Sequence, residues 1–148
     1  SEEDFIEDFK FQVVGATKVI KQLLPKLKKS EHSSILLFST IAVQSGFSFH
    51  SQVAISKGAI EGLARSLAAE LAPKIRVNAI APSLTDTPLA LKLLNTSEKV
   101  QFQSEKNPLK KIGAAKDIAE AALFLLTQKS SWVTGQIIHV DGGHSTIK

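Results

Sequence analysis

Two side chains that can exchange protons lie near each other in the middle of the sequence. His50 precedes Lys57 by seven residues, which places both on one face of a helix if that helix begins at or before the histidine. Imidazole titrates near neutral pH and can act as a general acid or base. Val53, between the two, has no proton to exchange. The alternative is that His50 belongs to the loop entering the helix and takes no part in chemistry at Lys57.

Thiol and metal chemistry are not indicated by the sequence. The chain has no cysteine, which excludes disulfides, thiolate metal ligands and cysteine nucleophiles. His32, His139 and His144 show no metal-ligand spacing with carboxylates. We therefore interpret these histidines as structural or exposed, and we predict no metal site.

The composition is that of one packed globular domain. The chain has 148 residues, of which 43% are apolar and 22% charged, enough for a single hydrophobic core. No apolar run is long enough to span a bilayer, and no signal-peptide pattern opens the sequence. We expect a cytoplasmic protein without a membrane partner, and the absence of cysteine fits that expectation.

The chain carries a net charge of +4, and many of its lysines fall into two groups. These are Lys18, Lys21, Lys26, Lys28 and Lys29, and then Lys106, Lys110, Lys111 and Lys116. Cations are favourable at a helix C-terminus, and neither group alternates with aromatic residues as surfaces for single-stranded nucleic acid do. We interpret both groups as solvated faces and expect no nucleic-acid partner, with a nucleic-acid surface as the alternative.

Hydrophobic periodicity predicts that helices and strands alternate. Ser1 followed by three acidic residues is typical of a helix start, and Pro25 is expected to kink this helix or close it early. Short apolar runs predict buried strands, the second of which should end at Pro82. The predicted helices are 2–29, 52–71, 87–100 and 116–127, and the predicted strands are 33–39, 75–80 and 136–140.

This order predicts an α/β fold with three parallel strands and flanking helices. Strands separated by helices of this length pair in parallel through right-handed crossovers. A three-stranded parallel sheet is narrow, and a doubly wound dinucleotide-binding domain consists of two such halves with the ligand between them. We expect residues 1–148 to be the C-terminal part of one Rossmann-like domain, without its N-terminal cofactor-binding half.

Five motifs follow one another along almost the whole chain. They occupy 53–59 (VAISKGA), 63–73 (LARSLAAELAP), 75–82 (IRVNAIAP), 117–126 (DIA and FLL) and 134–143 (TGQ and VDGG). Together they resemble the short-chain dehydrogenase/reductase family, including its 3-oxoacyl-acyl-carrier-protein reductase-like members. One such motif would be weak evidence, whereas five in the expected order and spacing make the resemblance specific.

The resemblance implies hydride transfer between a small carbonyl or alcohol and NAD or NADP. In this family a tyrosine is the general acid or base, and a lysine four residues later lowers the tyrosine's pKa and binds the nicotinamide ribose. The matching lysine is Lys57. The serine that binds the substrate oxygen falls on Thr40, which keeps a hydroxyl, and the asparagine of the proton relay falls on Gln12, which keeps an amide.

Three features depart from the family pattern. The tyrosine position holds Val53, and the glycine that usually follows Pro82 is replaced by Ser83. The Gly-rich turn that binds pyrophosphate at a helix N-terminus has no counterpart in this sequence. At the positions that do match, the resemblance implies Lys57, Thr40 and Gln12 as catalytic residues. It implies Lys57, Pro82 and Thr87 as cofactor-binding residues.

Two classes of function remain open at this point. The first is an NAD(P)-dependent oxidoreductase for a small carbonyl, an alcohol or an acyl-chain ketone, impaired by the loss of the tyrosine and of the N-terminal half. The second is a non-catalytic relative that keeps the fold for binding or assembly, or an inactive fragment.

The resemblance also implies self-association. Family members usually pair through the helices that match 2–29 and 52–71, which predicts a homodimer or homotetramer. The candidate packing residues are Val13, Ala16, Ile20, Ala59, Leu63 and Leu67. The alternative is that these side chains only cover their own sheet, and both can hold because each helix has two apolar flanks.

Overall fold

In the computed structural model, which describes residues 1–147, helices and strands alternate along the chain. The α-helices are α1 (Glu2–Phe9), α2 (Gly15–Lys29), α3 (Ser51–Leu71), α4 (Leu91–Leu94), α5 (Ser97–Glu105) and α6 (Ala115–Leu126). The strands are β1 (Ser33–Phe38), β2 (Ile75–Pro82), β3 (Thr85–Asp86), β4 (Gly113–Ala114) and β5 (Ile137–Val140). Among the helices of residues 1–147, none is long and apolar enough to cross a membrane.

The main sheet has three parallel strands in the order β1–β2–β5. Ser33 pairs with Ile75 and Ala79 pairs with Ile137, so β2 lies in the centre. The two-residue strands β3 and β4 form a separate parallel pair. The predicted α/β fold, with three parallel strands and flanking helices in a Rossmann-like arrangement, is confirmed.

Helices cover both faces of this sheet. Ile60, Ala64 and Ala68 of α3 recur at helical spacing and pack against the side chains that β1 and β2 direct to that face. Partly buried residues of α2 extend the same core. The opposite face is covered by α6, whose Leu125 is 1% exposed.

One side chain of β2 fixes the C-terminal end of α6. The Arg76 guanidinium donates from Nη1 to the Leu125 carbonyl at 3.0 Å and from Nη2 to the Thr127 carbonyl at 3.0 Å. It also bonds the Ser130 hydroxyl at 2.8 Å and the Val133 carbonyl at 3.3 Å. A cation here satisfies carbonyls that have no partner within the helix.

The segment predicted as one helix over 2–29 is α1 and α2 joined by a π-helix, Lys10–Val14. Its start is as predicted, because the Ser1 hydroxyl accepts from the Asp4 backbone N–H at 3.3 Å. Early closure at Pro25 is wrong, since α2 continues to Lys29. Leu24 and Leu27 on either side of the proline pack on the core and hold this turn of helix in place.

The segment predicted as one helix over 87–100 is divided. A 3₁₀ turn, Pro88–Ala90, is followed by α4 and then by α5, which begins after Thr96. The Thr96 hydroxyl accepts from the Lys99 backbone N–H at 3.3 Å and so caps α5. The second strand ends at Pro82 as predicted.

The second group of lysines is compensated by local partners. Lys110 Nζ lies 3.4 Å from the Glu105 carboxylate, and Lys111 Nζ lies 3.6 Å from that of Asp117. Lys106 Nζ lies 4.2 Å from the centre of the Phe102 ring. These contacts agree with a solvated face.

Candidate active site

The predicted site residues lie mainly where two neighbouring strands end. Because β1 and β2 are parallel, Phe38 at the end of β1 and Pro82 at the end of β2 lie at the same edge of the sheet. In open α/β sheets the ligand binds outside the carboxyl ends of the strands. The side chains that follow these two strands are therefore the first to consider.

Lys57 reaches this edge from α3. Its Nζ donates to the Phe38 carbonyl at 2.9 Å, and the side chain is partly buried. Burial lowers the pKa of Lys57 below its usual value, and the negative charge of Asp8 partly opposes that shift. An ammonium has three N–H donors, so two remain for a ligand beside the end of β1.

Thr40 lies two residues beyond Phe38 and begins a 3₁₀ turn, Ile41–Val43. Its Oγ1 accepts from the Ala42 backbone N–H at 3.3 Å. Within residues 1–147 the hydroxyl proton has no acceptor, so it can be donated to another group. The Lys57 ammonium thus bonds the last residue of β1, and the Thr40 hydroxyl follows that residue by two positions.

Gln12 lies within the π-helix, and its side chain points back along the helix. Its Nε2 donates to Asp8 Oδ1 at 3.1 Å. Single π-turns inside α-helices are frequent at functional sites. The structure therefore gives Gln12 a carboxylate partner that the family resemblance did not indicate.

Asp8 is a residue that the sequence analysis missed. Its Oδ2 is buried and has no hydrogen-bond partner among residues 1–147, while its charge acts on Lys57. The only sequence signal is its position four residues before Gln12, a spacing at which helical side chains meet. Asp8 is thus hydrogen-bonded to the π-helix through Gln12, and its negative charge favours the charged form of Lys57 without a direct bond between the two.

Val53 lies one helical turn before Lys57 on α3 and is partly buried. Residues four apart lie on the same face of a helix. The side chain beside Lys57 on this face is therefore an aliphatic group that cannot transfer a proton.

His50 is the residue immediately before α3, and its side chain is exposed. Its Nδ1 lies 2.7 Å from the Ser48 carbonyl, and because a carbonyl only accepts, Nδ1 carries the hydrogen. The ring lies 5.7 Å from that of Phe47. His50 thus ends the loop, and its carbonyl accepts the first helical hydrogen bond, from the Ala54 N–H. A role for His50 as acid or base stays a prediction.

Pro82 and Thr87 lie at the end of β2 and in the loop beyond it. Pro82 is opposite Val140 of β5. The Thr87 hydroxyl donates to the Thr85 carbonyl at 3.4 Å and is partly buried. Ser83, where a glycine was expected, donates its hydroxyl to the Asp141 carbonyl at 3.3 Å and so ties this loop to the end of β5.

A turn after β5 is built around the Asp141 carboxylate. Gly143 N–H donates to Oδ1 at 2.9 Å, and Ser145 N–H donates to Oδ2 at 2.9 Å. Burial alone would raise the pKa of Asp141, but the bonds from Ser145 and Gly143 hold it below the usual value. Gly142 and Gly143 have φ values of 63° and 87°, which glycine adopts without strain.

Glu61 is a second residue that the sequence analysis missed. Its side chain is only 4% exposed, and it accepts from the Ser39 hydroxyl at 2.8 Å and from Arg65 Nη2 at 3.3 Å. Ser39 precedes Thr40, and Glu61 lies one turn after Lys57. The pair fixes the segment that carries the threonine to the helix that carries the lysine.

The predicted residues thus lie in three places: near the end of β1, near the end of β2 and on the π-helix. Lys57 of α3 donates to the last residue of β1, Thr40 follows that strand by two residues, and Pro82 and Thr87 lie at and beyond the end of β2. Gln12 lies on the π-helix between α1 and α2, where its amide donates to the Asp8 carboxylate. Among residues 1–147, no three histidine, aspartate or glutamate side chains are close enough together to hold a metal ion.

Comparison with known proteins identifies relatives of this chain. A family model described as enoyl-(acyl carrier protein) reductase matches residues 1–145. The chain is 33% identical over 143 residues to the 3-oxoacyl-[acyl-carrier-protein] reductase FabG of Thermotoga maritima, which covers 96% of this chain and 57% of the relative. The resemblance inferred from the five motifs is thereby confirmed.

Solved structures agree with this relationship. A short-chain dehydrogenase/reductase of the glucose/ribitol dehydrogenase type from Brucella melitensis superposes with a TM-score of 0.90 at 33% identity, over 97% of this chain and 57% of that one. ElxO with NADP bound superposes with a TM-score of 0.82 at 29% identity, over 90% of this chain and 54% of that one. The chain spans about half the length of the curated relatives it matches.

Proposed function

The chain belongs to the short-chain dehydrogenase/reductase family, and we propose that it forms the substrate-facing part of an oxidoreductase using NAD or NADP. The reaction is hydride transfer between the cofactor and a small carbonyl or alcohol. The observation that supports the proposal is the 2.9 Å bond from Lys57 Nζ to the carbonyl of Phe38, the residue two positions before Thr40.

The two donors at the end of β1 suit a carbonyl substrate. When hydride adds to a carbonyl carbon, negative charge develops on the oxygen, and fixed donors aimed at that oxygen stabilise the charge. Thr40 offers an uncommitted hydroxyl proton and Lys57 offers an ammonium. In this proposal Thr40 binds the substrate oxygen, while Lys57 contributes positive charge.

The residues present fit the nicotinamide end of the cofactor. Lys57 keeps two N–H donors for the ribose hydroxyls, and Pro82 and Thr87 lie at the next strand end, where the nicotinamide ring and its carboxamide would be held. The cofactor supplies the hydride when bound. No residue of this chain provides the Gly-rich turn for the pyrophosphate, so the choice between NAD and NADP is left open.

We further propose that residues 1–148 are the C-terminal part of a larger Rossmann-like domain. The support is that the relatives are about twice as long as this chain and that the sheet has three parallel strands. The proposed partners are a small-molecule substrate and further copies of the chain, with no nucleic acid. The cytoplasmic location stays a prediction.

A second candidate function is favoured by Val53. A relative that keeps the fold but lacks the proton donor could bind a nicotinamide cofactor or a partner without turnover. In that case Lys57 and Thr40 would be retained for binding, or only for packing. The two candidates differ in whether any hydride reaches a carbonyl substrate.

The test is NADPH- or NADH-dependent reduction of ethyl acetoacetate by the natural polypeptide that carries residues 1–148. We expect slow turnover that Lys57→Ala abolishes and that Thr40→Ala lowers by about 10²-fold, comparable to the loss of one oxyanion donor. Thr40→Ser keeps the hydroxyl and is the matched control, with near-normal turnover. Cofactor binding by fluorescence with no turnover in any variant would favour the non-catalytic relative.

A further inference from the structure

Carbonyl reduction needs one proton for each hydride, and the residue that provides it is not apparent at this site. Val53 has no proton to give, and a threonine hydroxyl such as that of Thr40 is too weak an acid to lose its own. His50 is exposed and lies just before α3, with its ring beside Phe47. Lys57 is the acidic N–H group that lies at the end of β1 itself.

The packing of α1 against α3 brings Asp8 to the level of Lys57. Both helices precede a strand of the same parallel sheet, so they run in the same direction. Gln52 Nε2 donates to the Asp4 carbonyl at 3.2 Å, which fixes the register between them. Asp8 lies one turn beyond Asp4, and Lys57 lies just over one turn beyond Gln52.

The Asp8 carboxylate has one oxygen committed and one uncommitted. Oδ1 accepts from Gln12, whereas Oδ2 is buried and has no hydrogen-bond partner among residues 1–147. A buried carboxylate oxygen without a donor is costly unless a positive charge is near. The cation whose pKa Asp8 affects is Lys57.

The π-helix fixes the direction of this carboxylate. Lys10–Val14 follows α1 directly and packs on α3, and its Gln12 amide turns back to Asp8. Because the amide holds Oδ1, the carboxylate cannot rotate freely. Asp4 and Glu7 lie on the same helix as Asp8, but their side chains are exposed, so water screens their charges.

Resting on the proposed function, we propose that Lys57 itself donates the proton in carbonyl reduction and that Asp8, held by Gln12, is the positioning residue that keeps the lysine charged. Hydride adds to the carbonyl carbon, and the π electron pair moves to the oxygen. That oxygen takes a proton from Lys57 Nζ, which leaves a neutral amine. Water then returns a proton to the Lys57 amine beside Asp8, and the ammonium is regenerated for the next turnover.

The first test needs no activity. The pKa of Lys57 is measured by NMR titration of its ¹³Cε resonance in the natural polypeptide and in the Asp8→Asn variant. We expect a lower pKa in Asp8→Asn, because the amide has the same shape without the charge. Glu7→Gln, an exposed neighbour on the same helix, is the matched control and should leave the pKa unchanged. An unchanged pKa in Asp8→Asn overturns the inference.

The second test is the pH profile of ethyl acetoacetate reduction. Activity should fall at high pH as Lys57 loses its proton, and Asp8→Asn should move that fall to lower pH. Asp8→Glu should restore the position, which a purely structural role would not require. A profile that Asp8→Asn leaves unmoved but His50→Ala abolishes would identify His50 as the donor and overturn the proposal.

The two proposals fail in different ways. If Asp8→Asn lowers the pKa of Lys57 but no variant or cofactor gives reduction, the charge pairing stands while the proposed function and the donor role fail. If reduction occurs and the Lys57 pKa does not respond to Asp8, the proposed function stands and this inference fails.

Discussion

The Ser39 hydroxyl donates a 2.8 Å hydrogen bond to the buried carboxylate of Glu61. This bond joins the residue before Thr40 to the helix turn after Lys57, so the relative position of the two proposed catalytic residues depends on it. A carboxylate that is 4% exposed needs such donors, because burying a charge without partners is costly.

Ser39→Ala should therefore destabilise the protein and disturb the site. We expect the free energy of unfolding to fall by about 1–3 kcal/mol, the cost of leaving a buried acceptor without its donor. Urea denaturation measures this change. Ser66→Ala removes a similar 3.2 Å bond to Glu70 on the exposed side of α3 and is the control, with a change within about 0.5 kcal/mol.

Val53→Tyr should raise the turnover of carbonyl reduction, because it places a phenol one turn before Lys57. General acid catalysis contributes about 10²–10⁴-fold, which bounds the expected gain. Val53→Phe adds the same ring without the hydroxyl and separates chemistry from crowding. Equal turnover in the two variants would show that the site is not a dehydrogenase impaired at this position.

Arg76→Met should destabilise the protein strongly, although Arg76 is remote from the site. The substitution removes the charged hydrogen bonds to the carbonyls of Leu125 and Thr127, which keep only neutral donors such as the Ser130 hydroxyl. Hydrogen bonds from charged groups contribute about 1.5–3 kcal/mol each, so a loss of at least about 2 kcal/mol is expected. Thermal unfolding tests this, with Lys74→Met at an exposed neighbouring position as the control.

Acid should weaken the turn after β5 through Asp141. Its pKa is lowered in the folded protein, so its contribution to stability is complete above the unfolded value of 3.8 and is lost as pH falls through the lower folded value. Ser145→Ala removes one contact of this carboxylate, the bond from the Ser145 hydroxyl, and keeps the bond from the Ser145 backbone N–H. The difference in stability between wild type and Ser145→Ala, measured by urea denaturation, should shrink below pH 4. A stability difference that stays the same at all pH values would contradict the role of the Asp141 carboxylate in holding this turn.

Self-association through the helix pair stays a prediction, and the structure changes which side chains test it. Val13, Ala16 and Ile20, with Leu63 and Leu67, pack against the protein's own core, as the alternative interpretation required. Ile55 lies on the outer side of α3 and is 55% exposed. Ile55→Glu should convert a dimer or tetramer to a smaller species in sedimentation velocity at micromolar concentration. Gln128→Glu, outside both helices, should not, and a wild-type monomer would refute pairing.

The strands and α3 were predictable because their signals are local. Apolar runs marked β1, β2 and β5, and helical periodicity marked α3 almost to its ends. Thr96 also carried a local signal, since a threonine before a helix is a common cap. The prediction of one helix over 87–100 gave more weight to periodicity than to that cap and was wrong.

The π-helix and the two buried carboxylates were not predictable in this way. Lys10–Val14 continues the apolar periodicity of its neighbours, and the shift of one residue in hydrogen bonding reflects packing on α3. Glu61 looks like a solvated helix residue until Ser39 is brought against it by the fold. Asp8 lies on α1 and Lys57 lies on α3, so only the packing of the two helices brings the charge of Asp8 near Lys57.

The central position of β2 has a consequence for how the chain is made. Its partners β1 and β5 lie far from it in sequence, one before β2 and the other after it. On the ribosome, β1 and β2 can pair before β5 has emerged, and the other side of β2 stays without this partner until β5 follows. Sheets built from such distant pairings fold slowly, so the nascent chain should need chaperone protection until Val140 has left the exit tunnel.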